Sequence, residues 1–256
     1  MELDWGDGDY ALIAAALAPT AEVLVDAAEV AAGQEVADIA CGTGNVALAA
    51  AARGAAATGV DGSAPLLEQA RRRAAAAGLA ARFLQGDAGS LPLPDGAFDA
   101  AVSAFGVIFA PDPPTALAEM VRVTRPEGVV ALTSWASEGP ICEAGGALRD
   151  ALPAGGGDGP APRWDDAAWV AAELERAGAR DVRTGTARVA FTAESPRAWL
   201  DEQVAHHPAW RWGRRRLGAA AWAPVRARML AALEGGNEDP AAFRATSVYL
   251  VTVARR

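Results

Sequence analysis

The chain contains no lysine; all 23 of its Lys+Arg residues are arginine. That excludes Schiff-base chemistry and a lysine general base. Histidine is confined to the adjacent pair His206 and His207, and tyrosine to Tyr10 and Tyr249. The only cysteines, Cys41 and Cys142, lie far apart and show no metal-ligand spacing. This predicts neither a disulfide framework nor a bound metal, and it suits a reducing cytoplasm. The net charge of −9 leaves no general basic face, which argues against broad binding of nucleic acid. One local exception, Arg211-Trp-Gly-Arg-Arg-Arg216, reads as a solvated helix face, with a grip on an anionic substrate as the alternative. The first ten residues are acidic and have no apolar core, so no signal peptide is expected there. The alanine runs are interrupted by charges before reaching membrane-spanning length, so no membrane partner is expected.

With 52% hydrophobic and 21% charged residues, 256 residues can bury a full core, as one domain or a domain with a cap. Thr20 is a candidate N-cap for an amphipathic helix over 21–31, stopped by Gly33. Strands are expected near 35–40, 56–60, 81–85, 98–104 and 128–135. Helices are expected near 45–53, 64–77 and 114–124, the second capped by Ser63 with Pro65 in its first turn. This alternation predicts a parallel sheet with right-handed crossovers. A flexible connection is expected over 153–162. A helix capped by Asp165 or Asp166 should then run to about Ala177, and strands are expected at 180–192 and 246–254. Between those strands lies a tryptophan-rich, mostly helical insertion. The domain plan is an N-terminal helical lid over 1–32, a core over 33–194, a substrate cap over 195–245 and a final core strand over 246–256.

The richest stretch is Val36-Ala-Asp-Ile-Ala-Cys-Gly-Thr-Gly-Asn-Val-Ala-Leu48, a buried strand, a glycine turn and a helix start. Such a turn places a ligand at the carboxyl end of a parallel strand. Gly42 and Gly44 allow close backbone approach, and the helix start offers free N–H donors. Asp61 follows Gly42 by 19 residues, where a carboxylate accepts ribose hydroxyls. Asp38 discriminates between cofactors. An acid beside the turn repels the pyrophosphate of NAD but suits the sulfonium and ammonium groups of S-adenosylmethionine (SAM). A third acid, Asp87, follows the next strand and could accept the adenine amino group.

These residues, together with Gly59-Val-Asp-Gly-Ser63, Gln85-Gly-Asp-Ala88, Leu91-Pro-Leu-Pro-Asp95, Phe98-Asp-Ala-Ala-Val-Ser103 and Val123-Thr-Arg-Pro-Glu-Gly128, resemble the class I SAM-dependent methyltransferases over about residues 30–135. Glu127 replaces the first glycine of the family's Leu-Arg-Pro-Gly-Gly turn. The resemblance implies an α/β fold with a seven-stranded, mostly parallel sheet in the order 3-2-1-4-5-7-6 and strand 7 antiparallel, with a helical cap inserted between the last two strands. It implies contacts from Gly42 and Gly44 to the methionine part, from Asp61 to the ribose, and from Gly62 and Ser63 along its side. Leu66 would pack on adenine, Asp87 and Ala88 would address the adenine edge, and Ser103 and Phe105 would lie beneath the methionyl portion. Tyr10 would close over the cofactor, with aromatic packing at the N-terminus as the alternative. S-adenosylhomocysteine would be the product.

The segment after the fourth strand, Ser103-Ala-Phe-Gly-Val-Ile-Phe-Ala-Pro-Asp112, lacks the Asp/Asn-Pro-Pro-aromatic motif of nucleic-acid amino-methylating enzymes and the metal-binding acid of catechol methyltransferases. The expected substrate is therefore a small molecule. Six of the eight tryptophans follow residue 160, which suggests an apolar acceptor pocket and a small hydrophobic or aromatic metabolite, as in natural-product biosynthesis. A hydroxyl acceptor benefits from a general base, and at most one of His206 and His207 would supply it. Two alternatives remain: a SAM-binding protein without methyl transfer, such as a cyclase or regulator, and an NAD-dependent oxidoreductase. The sequence leaves the oligomeric state open, and a homodimer is admitted only because symmetric dimers are common.

Overall fold

The computed structural model describes residues 4–152 and 162–256. Apart from Pro162, the expected connection over 153–162 lies outside them. The described chain forms two compact units.

The sheet unit comprises Leu17–Trp135, Pro162–Ala187 and Tyr249–Arg256. The strands of the chain are β1 (Glu35–Ile39), β2 (Ala56–Asp61), β3 (Ala81–Gln85), β4 (Phe98–Ala104), β5 (Thr124–Trp135), β6 (Arg180–Ala193) and β7 (Phe243–Arg255). They lie in the order β3-β2-β1-β4-β5-β7-β6. The pairs β1–β2, β1–β4, β2–β3 and β4–β5 are parallel, and β7 runs antiparallel to β5. This is the order implied by the resemblance. From Val36 to Ile39, β1 is buried without alternation, because a central parallel strand is covered on both faces. Its helices α2 (Asn45–Ala52), α3 (Ala64–Ala77), α4 (Pro113–Val123) and α6 (Ala167–Arg176) follow the expected spans. Asp112 caps α4 and Asp166 caps α6, each through its side chain.

The first helix, α1 (Tyr10–Ala27), departs from the expected 21–31. It begins eleven residues earlier and carries Pro19 inside it. Thr20 is no cap; it is 1% exposed, and its hydroxyl donates back to the Leu17 carbonyl at 2.7 Å. By length and composition α1 also meets the criterion for a membrane-spanning helix, contrary to the expectation from the alanine runs. A buried core helix meets the same criterion, and Leu24 and Val25 of α1 are fully buried.

The helical unit comprises the described residues of 4–16, of 136–161 and of 188–248. It contains α5 (Pro140–Ala151), α7 (Pro196–His206) and α8 (Pro208–Gly235), the last kinked at Gly218. Its core joins Ala144 and Leu148 of α5 to Trp199, Leu200, Trp222, Met229 and Phe243. Gly213 of α8 is in close contact with Leu148, 2.9 Å from where a Cβ would stand. The unit therefore recruits α5 and the N-terminal residues in addition to the insertion expected over 195–245.

Candidate functional site

At the carboxyl ends of β1 and β2, the chain builds a turn from residues 40–44. Ala40 has φ 53°, Gly42 φ 54° and Gly44 φ 84°. An alanine in the left-handed region is held there only by its surroundings, and such positions concentrate at functional sites. The Gly44 N–H donates to the Cys41 carbonyl at 2.8 Å, closing the turn. A Cβ on Gly44 would stand 3.0 Å from Phe83, whereas one on Gly42 would meet nothing within 4 Å. Gly62 is similarly open, with only the Gly86 carbonyl at 3.9 Å. The two glycines therefore differ in purpose: Gly44 makes room for the fold, and Gly42 leaves an open approach to the backbone.

Asp61 stands at the end of β2. One carboxylate oxygen accepts the Gly42 N–H and the other the Ser63 N–H, both at 2.8 Å. Burial raises its pKa, opposed by those two bonds. Each oxygen keeps a lone pair, so a carboxylate already fixed in place can accept further donors. Beside it, the Ser63 hydroxyl is buried without a hydrogen-bond partner. A buried orphan hydroxyl costs free energy unless something else satisfies it. Together, the open Gly42, the oriented Asp61 and the unpaired Ser63 Oγ suit a polyhydroxylated ligand such as a ribose.

Asp38 lies inside β1. It is 1% exposed, and its Oδ2 accepts the Ala47 N–H at 2.9 Å in the first turn of α2. Gly44 offers no side-chain cap there, so Asp38 satisfies one of the helix's orphan donors from the neighbouring strand. Burial pushes its pKa up to about 7, against the Ala47 bond, with Asp61 adding to the rise.

Ser103 is also fully buried. Its Oγ donates to the Ile39 carbonyl at 2.7 Å and accepts the Val107 N–H at 3.0 Å. The hydroxyl thus ties the end of β4 to the end of β1. Gly106 continues that contact, since a Cβ there would lie 2.4 Å from the Ala40 carbonyl oxygen. Phe105 has φ 56° and stacks on Trp135 at 4.0 Å, with Tyr249 edge-on at 5.4 Å. Trp135 and Tyr249 escaped the sequence reading because they come from β5 and β7, remote in the chain. The antiparallel register places them opposite one another.

Leu66 is 3% exposed in α3 and Ala88 is half-buried against the core, while Asp87 is exposed. The Asp87 Oδ1 accepts the Gly89 N–H at 2.6 Å. Asp87 lines a cavity of about 350 Å³ with Gly89, Ser90, Ala110, Pro111 and Asp112.

In the helical unit, His207 joins α7 to α8. Its Nδ1 accepts the Ala209 N–H at 3.2 Å, so in the neutral ring Nε2 carries the proton. Burial pushes its pKa down to about 4. Trp5, Tyr10 and Trp210 surround the ring at centroid distances of 6.0, 6.1 and 6.3 Å. Tyr10 therefore lies in an aromatic cluster with His207. Half-buried His206 ends α7. Of the basic cluster, Arg211 and Arg215 both pair with Asp7, while Arg214 and Arg216 are exposed. Those pairings hold the Asp7 carboxyl below its usual range. Among the described residues, no cluster of three or more His, Cys, Asp or Glu could hold a metal ion.

Residues 37–132 match the family model of a methyltransferase domain. Over 106 residues the chain is 47% identical to the demethylmenaquinone methyltransferase of Thermus thermophilus, covering 41% of this chain and 48% of that protein. The chain spans about half the length of the curated relatives it matches. Among solved structures, it is similar to the YcgJ protein of Bacillus subtilis, with a TM-score of 0.64 and 18% identity over 93% of this chain and 98% of that one. It is also similar to the [4+2]-cyclase SpnF, with a TM-score of 0.59 and 24% identity over 98% of this chain and 83% of that one.

Proposed function

Because the chain has the class I SAM-dependent methyltransferase fold, we propose that it binds SAM and transfers the methyl group to O, N or C of a small hydrophobic or aromatic metabolite, as in natural-product biosynthesis. The observation that carries this reading is the Asp61 carboxylate, held by the Gly42 and Ser63 N–H groups beside an open glycine turn. Asp61 would accept the ribose hydroxyls and Ser63 Oγ would gain a partner. Gly42 would let the methionine portion approach the turn, and Asp87 would receive the adenine amino group. Where Asp38 is ionised, its charge disfavours a pyrophosphate at this turn and favours a cationic cofactor.

The bound cofactor supplies an electrophilic methyl group on a sulfonium. The protein's part is to orient an acceptor in line with it and exclude water, where positioning accounts for much of the rate. Half-buried Trp135, backed by buried Phe105 and Tyr249, gives the carboxyl ends of β4 and β5 an apolar, aromatic character suited to such an acceptor. For a hydroxyl acceptor, His206 rather than His207 would be the general base. The Nδ1 lone pair of His207 already caps α8, and its Nε2 holds the proton.

Calorimetric titration with SAM, S-adenosylhomocysteine and NAD tests the reading. Micromolar binding of the first two without NAD is expected, and Asp61→Ala should weaken SAM binding by about 2 kcal/mol, the loss of charge-assisted bonds. NAD binding without SAM, or unchanged affinity in the variant, would overturn it.

A further inference from the structure

On the premise that the glycine turn binds SAM, we propose that Arg73 is a positioning residue for the cofactor's amino-acid portion. It reaches the turn from α3. Its Nη1 donates to the Thr43 carbonyl at 2.7 Å and to the Thr43 hydroxyl at 2.9 Å. Thr43 lies between Gly42 and Gly44 and is 3% exposed, so both of its oxygens depend on the protein for partners. Of three consecutive arginines, only this one reaches the turn. Arg71 donates to the Phe83 carbonyl and Arg72 pairs with Glu68 on the same helix.

The β2–α3 segment thereby clamps the turn at two adjacent residues, Asp61 at the Gly42 N–H and Arg73 at the Thr43 carbonyl. Ala70, one helical turn before Arg73, packs where Gly44 lacks a Cβ, at 3.2 Å. Arg73 is half-buried, burial lowers its pKa, and it has no carboxylate partner among the described residues. A partly desolvated guanidinium without an ion pair is costly unless hydrogen bonds offset it, and here both bonds go to the turn. It also sets one positive charge against a turn whose acidic neighbours are Asp38 and Asp61.

The test compares S-adenosylhomocysteine with 5′-methylthioadenosine, which lacks the amino-acid portion. Arg73→Ala should weaken S-adenosylhomocysteine about tenfold and leave 5′-methylthioadenosine within about twofold, the scale of one or two lost hydrogen bonds. Thr43→Val should weaken the former about threefold and add nothing on the Arg73→Ala background, as partners in one interaction do. Arg73→Lys keeps the charge and a donor, should recover most of the affinity, and serves where the alanine variant does not fold. Equal losses for both ligands, or no loss for either, would overturn the proposal. Failure of the native chain to bind either ligand would overturn the cofactor reading and this one with it.

Discussion

A buried carboxylate, Asp38, and a half-buried one, Asp61, serve one glycine turn, yet they do different work. Asp61 holds the turn from outside with two backbone donors and keeps lone pairs in reserve. Asp38 lies beneath it and caps α2 through the Ala47 N–H. The pKa of Asp38 is raised from 3.8 to about 7, so the sign of its linkage is definite. Between those values the unfolded chain has released a proton that the folded chain retains. Its contribution to stability is full below pH 3.8 and is lost as pH rises toward about 7. Asp38→Asn keeps an acceptor for Ala47 and removes the titration. Urea denaturation across this range should show native stability falling relative to the variant. A constant difference between the two proteins would remove the assignment.

At the scale of elements, the turn inside β5 departs from the Leu-Arg-Pro-Gly-Gly turn that it resembles. Glu127 stands where the resembling turn has glycine, and its φ is 66°. A side chain there costs roughly 1–2 kcal/mol. Its ion pair with Arg180 is exposed and contributes little. Glycine also loses more entropy on folding, which offsets part of the gain. Glu127→Gly should therefore raise stability by about 0.5 kcal/mol in chemical denaturation. A loss instead would mean that the Arg180 pair outweighs the backbone strain. The neighbouring Gly128 allows no such exchange, because a Cβ there would lie 2.8 Å from the Asp99 carbonyl oxygen.

For the whole molecule, the fold is shared by methyltransferases and by a [4+2]-cyclase, so architecture alone does not choose the reaction. Product mass separates them. With SAM and a turned-over acceptor, the expected product gains one methyl group and S-adenosylhomocysteine appears in equal amount. An isomer of unchanged mass, with SAM intact, would establish the cyclase reading instead.

The parallel sheet and the candidate site's location at the carboxyl strand ends were legible in the chain, because alternating strands and helices admit few right-handed arrangements, whereas the strand order came from the family resemblance. The glycine turn and the acid 19 residues beyond Gly42 were legible for the same local reason. What spacing along the chain leaves open is which backbone group a side chain finally meets. Asp38 reads as an acid facing a ligand, and the approach of α2 to β1 makes it a helix cap. Ser103 reads as a cofactor contact, and the meeting of β1 with β4 commits its proton and one lone pair. His207 reads as a base, and the junction of α7 with α8 commits its lone pair. Arg73 belongs to no motif singled out in the chain, and the packing of α3 brings it to Thr43. Local sequence determined the elements and the turn, whereas the tertiary fold decided the donors and acceptors, because each such pair joins segments that only packing brings within hydrogen-bond reach.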